Sequence, residues 1–171
     1  MNLTLSLIHP DLYQTGIEIL RKLRDSDETT DIAQEWQSVY TGISAICNRL
    51  TPFHRDTKGR PEWYDVLLSY SDQGSCPELQ IEDIGLNLQY QSGAVVGLCG
   101  SVFKHGVGLW GVGNRICYAH FMRDDVRERF NVAPAGWVYR SKYFPSEGSI
   151  GQADGSMVID EQNSDCDRMD S

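Results

Sequence analysis

Residues 101–121 read SVFKHGVGLWGVGNRICYAHF. Two short runs rich in apolar and aromatic residues, 101–107 and 115–121, flank GLWGVGN, whose glycines and asparagine mark a turn. The pattern predicts two strands joined as a hairpin, with Arg115 on the strand beside His105. Side chains alternate along RICYAHF, so Arg115, Cys117, Ala119 and Phe121 share one face and Ile116, Tyr118, His120 and Met122 the other. If Arg115 faces a ligand, Cys117 does too, and His120 points away as a structural residue.

Toward the N-terminus the texture is the same. GAVVGLCG (93–100), IGLNLQY (84–90), WYDVLLSYS (63–71) and TGISAICNRL (41–50) are short β-compatible runs separated by Gly, Asn, Asp and Ser. Strands of this length and spacing indicate a sandwich or barrel. Helices are expected at 11–24, where Leu12, Ile19, Leu20 and Leu23 form one stripe behind Pro10, at 32–40, and at 123–130. GWVYRSKYF (136–144) reads as one more strand. The fold class is therefore mainly β with flanking helices.

The 171 residues suit one domain that buries its own core. No apolar run approaches the roughly 20 residues of a membrane span, and no signal peptide is visible. Five cysteines without a CxxC pair argue against a disulfide framework and against a structural zinc site. The expectation is an intracellular protein, nuclear or cytoplasmic, with reduced thiols. The net charge of −9 is unevenly spread. From Phe144 onward seven acids face Arg168 alone, while Arg49, Arg55, Lys58 and Arg60 cluster in the body. Local charge governs what a cleft attracts, so the acidic total does not exclude a nucleic acid. The chain divides into a domain at 1–146 and an acidic, flexible tail at 147–171.

His54-Arg55-Asp56 lies in the basic cluster. On an extended segment residues i and i+2 point the same way, so HxD offers an imidazole and a carboxylate to one point. Alone this motif recurs by chance, and a lone His105 would usually be a core histidine. Together, two His and one carboxylate on one side of Fe(II) leave three positions open, two for a 2-oxo acid and one for O2. The far carboxylate of 2-oxoglutarate then needs a cation, which Arg115 offers in bidentate form.

NRLTPFHRDTKGRPEWYDVLLS, SGAVVGLCGSVFKHGV and GNRICYAHFMRDDVRERF resemble the fungal branch of the TET/JBP dioxygenases, over roughly residues 8–140. The resemblance implies a double-stranded β-helix core of jelly-roll, cupin-like type, with Asn2 to Ile8 as its opening strand. It implies Fe(II) on His54, Asp56 and His105, and 2-oxoglutarate on Arg115. Cys117 stands where a small polar residue, commonly Ser, touches the same carboxylate. Arg49 would meet the cosubstrate's other carboxylate, with Asn48 beside it. The activity implied is oxidation of the methyl group of 5-methylcytosine, or of a related methylated base, in DNA. The base would leave the duplex to reach the iron. Arg55, Lys58 and Arg60 are candidates for phosphates, and Trp63 or Tyr64 for stacking on the base. Strand core is the ordinary place for Trp63 and Tyr64, and a solvated loop for Lys58 and Arg60. The same cofactor chemistry on N6-methyladenine, RNA or another substrate is the alternative within enzymes. A cupin-like binding module without catalysis is the alternative outside them.

Overall fold

The computed structural model describes residues 1–72 and 75–143. Three helices open the chain: α1 (Asn2–Ile8), α2 (Pro10–Arg24) and α3 (Thr30–Glu35). Eight strands follow: β1 (Gly42–Cys47), β2 (Thr51–His54), β3 (Asp65–Ser71), β4 (Glu78–Ile81), β5 (Leu86–Gln89), β6 (Val95–Leu98), β7 (His105–Val107) and β8 (Arg115–Phe121). Helix α4 (Asp124–Arg129) comes after them. A compact unit runs from Met1 to Val138. Beyond it, Arg140–Lys142 form one 3-10 turn. The acidic stretch expected at 147–171 lies outside the described residues.

The strands form two four-stranded antiparallel sheets, in the orders β1-β8-β3-β6 and β2-β7-β4-β5. Successive strands alternate between the sheets, except that β4 and β5 pair with each other. This winding is the double-stranded β-helix that the resemblance implied. Leu67, Leu79, Ile81, Tyr90, Leu98, Val107 and Cys117 from both sheets form a buried core. Fully burying a Leu, Ile or Val of this kind is worth about 1.5–3 kcal/mol.

A second buried cluster unites Leu5, Leu12, Val39, Tyr40, Trp63, Val66 and Met122. Strand β3 serves both, since Val66 belongs to this cluster and its neighbour Leu67 to the other. Helix α2 begins where the sequence places it. Pro10 takes the first turn, and His9 caps it, its Nδ1 accepting from the Leu12 N–H at 3.2 Å. A Cβ on Gly16 would stand 2.5 Å from the Val39 carbonyl oxygen and 2.6 Å from Met122 Cε, so only glycine lets the helix pack this closely.

Several expectations are corrected. Residues Asn2–Ile8 are helical. Leu3, Leu5 and Leu7 alternate as in a strand, but Leu5 alone of the three is buried, and Leu3 and Leu7 face outward. The helix expected at 32–40 is α3 and stops at Glu35, where the Arg24 guanidinium caps its end, donating to the carbonyls of Ala33 and Trp36 at 3.1 Å each. Strand character in 101–107 is confined to His105–Val107, since Val102 and Phe103 both donate to the Cys99 carbonyl in a turn. Residues 136–143 contain no strand. Strand β4, too short and too close to Pro77 to stand out, was not foreseen. The largest correction concerns His105 and Arg115. They are not hairpin partners: β7 pairs with β2 and β4, whereas β8 pairs with β1 and β3. The glycine-rich segment between them crosses from one sheet to the other.

Candidate metal centre

Strand β2 carries a bulge against β7: Thr51 opposes Val107, yet His54, three residues on, opposes His105, only two residues back. In a regular strand, residues three apart face opposite sides. The extra residue turns both Thr51 and His54 into the same cavity. His54 and His105 then stand directly opposite, with ring centroids 4.5 Å apart. Each ring is fixed in the same way. Nδ1 of His54 lies 2.9 Å from the carbonyl oxygen of Pro52, and Nδ1 of His105 lies 2.9 Å from that of Phe103. A carbonyl only accepts, so both Nδ1 atoms carry the proton and both Nε2 atoms present lone pairs.

Asp56 follows β2, its N–H donating to the Gly100 carbonyl at 2.9 Å. Its Oδ1 lies 3.6 Å from His54 Nε2 and its Oδ2 3.8 Å from His105 Nε2. The ligand atoms of the three residues all lie within 4.8 Å of one another. The three ligand atoms surround one position, a candidate site for a single ion. Two imidazoles and one carboxylate are the facial donor set of mononuclear Fe(II) oxygenases.

Behind Asp56 lies Asp65, at the start of β3 and buried. Burial, and secondarily the Asp56 carboxylate and its hydrogen bond, push the Asp65 carboxyl up to about 8, against the opposing pull of Arg123. Gly100 makes room for both acids: a Cβ there would meet Asp56 Oδ2 at 2.3 Å and Asp65 Oδ2 at 2.6 Å. Sequence reading missed Asp65. Its one signal is an acid opening the apolar run VLL.

The cavity holding these ligands has a volume of about 220 Å3 and is lined from both sheets. On β8, Arg115 is 1% exposed and lines it beside Cys117. Its Nε and Nη1 have no hydrogen-bond partner among the described residues. Its Cζ lies 5.5 Å from the centre of the Tyr90 ring. A buried guanidinium with unmet donors is costly unless an anion completes it. This donor fork fits a carboxylate, as the neighbouring triad fits a divalent ion.

Asn48 does not turn its side chain into the cavity. In a left-handed turn (φ 47°), its Oδ1 accepts from the Arg115 N–H at 2.7 Å, and its own N–H donates to the Arg115 carbonyl at 2.8 Å. It clamps the backbone that carries the arginine. Arg49 does line the cavity.

The residues anticipated for substrate contact are mostly engaged elsewhere. Arg55 donates to Asp83 at 2.8 Å and to the Val102 carbonyl at 2.9 Å. Arg60 is bound to Glu62 and Asp124 at 2.7 and 3.3 Å. Trp63 is a core residue, its indole N–H donating to the Ala135 carbonyl at 3.1 Å. Tyr64 packs against the helix-side core, edge-on to His9. Lys58 is exposed. His120 faces away from the cavity and packs against Tyr40, as its place on β8 predicts. Arg123 also lines the cavity and was missed; its guanidinium lies 4.2 Å from the centre of the Phe121 ring, on the inward face of β8.

The Tet_JBP family model, described as the oxygenase domain of the 2OGFeDO superfamily, matches residues 1–124. Among solved structures the chain is similar to NgTET1 in complex with 5mC DNA, with a TM-score of 0.50 and 18% identity over 63% of this chain. That likeness covers 42% of the NgTET1 chain, so this chain spans less than half of its length. A Cupin 2 conserved barrel domain protein from Salinispora arenicola is also similar, with a TM-score of 0.37 and 18% identity over 56% of this chain and 76% of that one. No curated protein matches. At 18% identity the likeness to NgTET1 shows the fold.

Proposed function

The chain belongs to the Tet_JBP family of Fe(II)- and 2-oxoglutarate-dependent oxygenases, and we propose that its substrate is a methylated base in DNA, 5-methylcytosine first. It is a dioxygenase, and its cofactors are Fe(II) and 2-oxoglutarate. His54, Asp56 and His105 would hold the iron, and Arg115 would take the distal carboxylate of the cosubstrate. Bound there, Fe(II) supplies the coupling of 2-oxoglutarate decarboxylation, to succinate and CO2, with transfer of an oxygen atom from O2 into a substrate C–H bond.

The observation that carries this reading is the shared cavity, which holds three ligand atoms within 4.8 Å of one another and an arginine with two unmet donors. The residues do the positioning. The Pro52 and Phe103 carbonyls lock both imidazoles with Nε2 toward the metal position. Asn48 fixes the arginine from its backbone. Residues of both sheets line the site.

The NgTET1 structure, which is similar in fold, holds 5mC DNA, and this supports a methylated base as the substrate here. Within this chain, Arg49 and Arg123 line the cavity and Phe121 offers an aromatic face beside them. The base would have to leave the duplex to enter. A DNA substrate would place the protein in the nucleus. Among the described residues no helix is long and apolar enough to cross a membrane. The engagement of Arg55, Arg60 and Trp63 within the fold favours a second reading, the same chemistry on N6-methyladenine, RNA or another substrate.

Succinate release decides between the two readings. Anaerobically iron-loaded protein is exposed to O2 and 2-oxoglutarate with methylated or unmethylated oligonucleotides, beside His54→Ala. Succinate that requires methylated DNA and His54 is expected. Succinate that requires His54 but ignores DNA selects the second reading, and none at all removes both.

A further inference from the structure

Tyr90 follows β5 and is fully buried in the wall of the same cavity. Both sheets hold its backbone. Its N–H donates to the Pro77 carbonyl at 2.8 Å, and its carbonyl accepts from the Ser69 hydroxyl on β3, also at 2.8 Å. The ring is therefore fixed beside Arg115. Its hydroxyl has one partner among the described residues, the Cys117 sulfur at 3.3 Å. A thiol is a weak donor and its sulfur a weak acceptor. The strong O–H donor of Tyr90 thus lacks a strong acceptor, in the cavity where Nε and Nη1 of Arg115 also lack one. Unmet strong donors gathered in one buried place call for an anion.

We propose that Tyr90 is a second binding group for the distal carboxylate of 2-oxoglutarate, its hydroxyl donating to the carboxylate that Arg115 grips. The assignment rests on the reading of Arg115 above. Cys117 then acts at one remove: its S–H donates to the Tyr90 oxygen and turns the hydroxyl hydrogen toward the carboxylate. The Ser-like contact expected of Cys117 thereby passes to tyrosine. Burial raises the phenol far above its ordinary range, so it remains an O–H donor at every working pH. A fixed hydroxyl added to a fixed guanidinium makes the site select 2-oxo acids that end in a second carboxylate.

The test is binding without turnover. Fe(II)-loaded protein is titrated anaerobically with 2-oxoglutarate and with 2-oxopentanoate, which carries a methyl in place of the distal carboxylate. Tyr90→Phe should weaken 2-oxoglutarate at least about tenfold, the loss typical of a hydrogen bond to a charged group. It should leave 2-oxopentanoate within about twofold and Fe(II) affinity unchanged. Equal loss of both acids, or no loss of either, overturns the proposal. If Tyr90→Phe does not fold, Cys117→Ala decides: a smaller loss confined to 2-oxoglutarate supports the assignment, and its absence overturns it. If wild-type protein does not prefer 2-oxoglutarate to 2-oxopentanoate, or Arg115→Met leaves that preference intact, the reading of Arg115 itself fails. An intact Arg115 effect beside a silent Tyr90→Phe overturns the tyrosine alone.

Discussion

His54 and His105 are direct cross-strand partners, each tied through Nδ1 to the carbonyl two residues before it, 2.9 Å away in both cases. His54 costs the apo fold little to maintain, because its side chain is 42% exposed. Its value lies in metal binding. His54→Ala should leave the apo unfolding midpoint nearly unchanged, since surface substitutions are usually within about 0.5 kcal/mol. It should also abolish the stabilisation by Fe(II), and with it the rise in midpoint; for wild type at 100 times the dissociation constant that stabilisation is about 2.7 kcal/mol. Thermal unfolding with and without metal, under anaerobic conditions, checks both. A wild-type midpoint indifferent to metal would count against the centre.

Gly100 is the second lever on the same ion. Alanine there would drive a Cβ to 2.3 Å from Asp56 Oδ2 and 2.6 Å from Asp65 Oδ2. Contacts under 3.0 Å force the carboxylates to shift, and misplacing groups behind a metal ligand typically costs 10- to 100-fold in affinity. Gly100→Ala should therefore bind Fe(II) about tenfold or more weakly. Backbone hydrogen-exchange protection in β3, β6 and β8 should persist. Direct metal titration of the variant measures the first, and exchange the second.

Arg115 sets function against stability. It is 1% exposed with two unmet donors, an uncompensated buried cation in the apo protein. Arg115→Met keeps the length of the side chain and removes the charge. The apo variant should be more stable than wild type by about 1–3 kcal/mol and should no longer bind 2-oxoglutarate. Urea unfolding and anaerobic titration together test this. A destabilised variant would mean that the guanidinium serves packing more than ligand binding.

Much of this site was legible because its chemistry is local or tied to strand period. HRD is contiguous, and the inward face of β8, with Arg115 and Cys117, follows from alternation alone. The partnership of β2 with β7 was not legible. Short strands of similar composition do not reveal which sheet they join, so the glycine-rich link at 108–114 read as a hairpin when it crosses between sheets. Asp65, Tyr90 and Arg123 were missed for the same reason: each reaches the cavity from a different strand end, and only the winding brings them together. Trp63 went to the core, as an aromatic beside a strand usually does. The opening strand that the resemblance implied at Asn2 to Ile8 is a helix that buries Leu5 and leaves Leu3 and Leu7 exposed.

His120 gives the fold its own response to acid, separate from the metal ligands. It packs edge-on against Tyr40, with ring centroids 5.8 Å apart. Burial lowers its pKa below the ordinary 6.5, with a smaller push from the positive N-terminus, while backbone hydrogen bonds oppose them. The unfolded imidazole titrates near its ordinary value, so between the two pKa values the unfolded chain binds more protons than the folded one. Stability is full above about pH 6.5 and falls as pH drops toward the folded value, where the decline stops. His120→Gln removes this group. The metal-free wild type should thus lose more stability between pH 7.5 and pH 5 than metal-free His120→Gln, with the other titrating groups cancelling in the comparison. Urea midpoints of both proteins at the two pH values measure the difference. Parallel curves would mean that His120 titrates alike in the folded and unfolded chains. A wild type that holds up better than the variant in acid would mean that the folded imidazole is stabilised as the cation, reversing the sign argued from its burial.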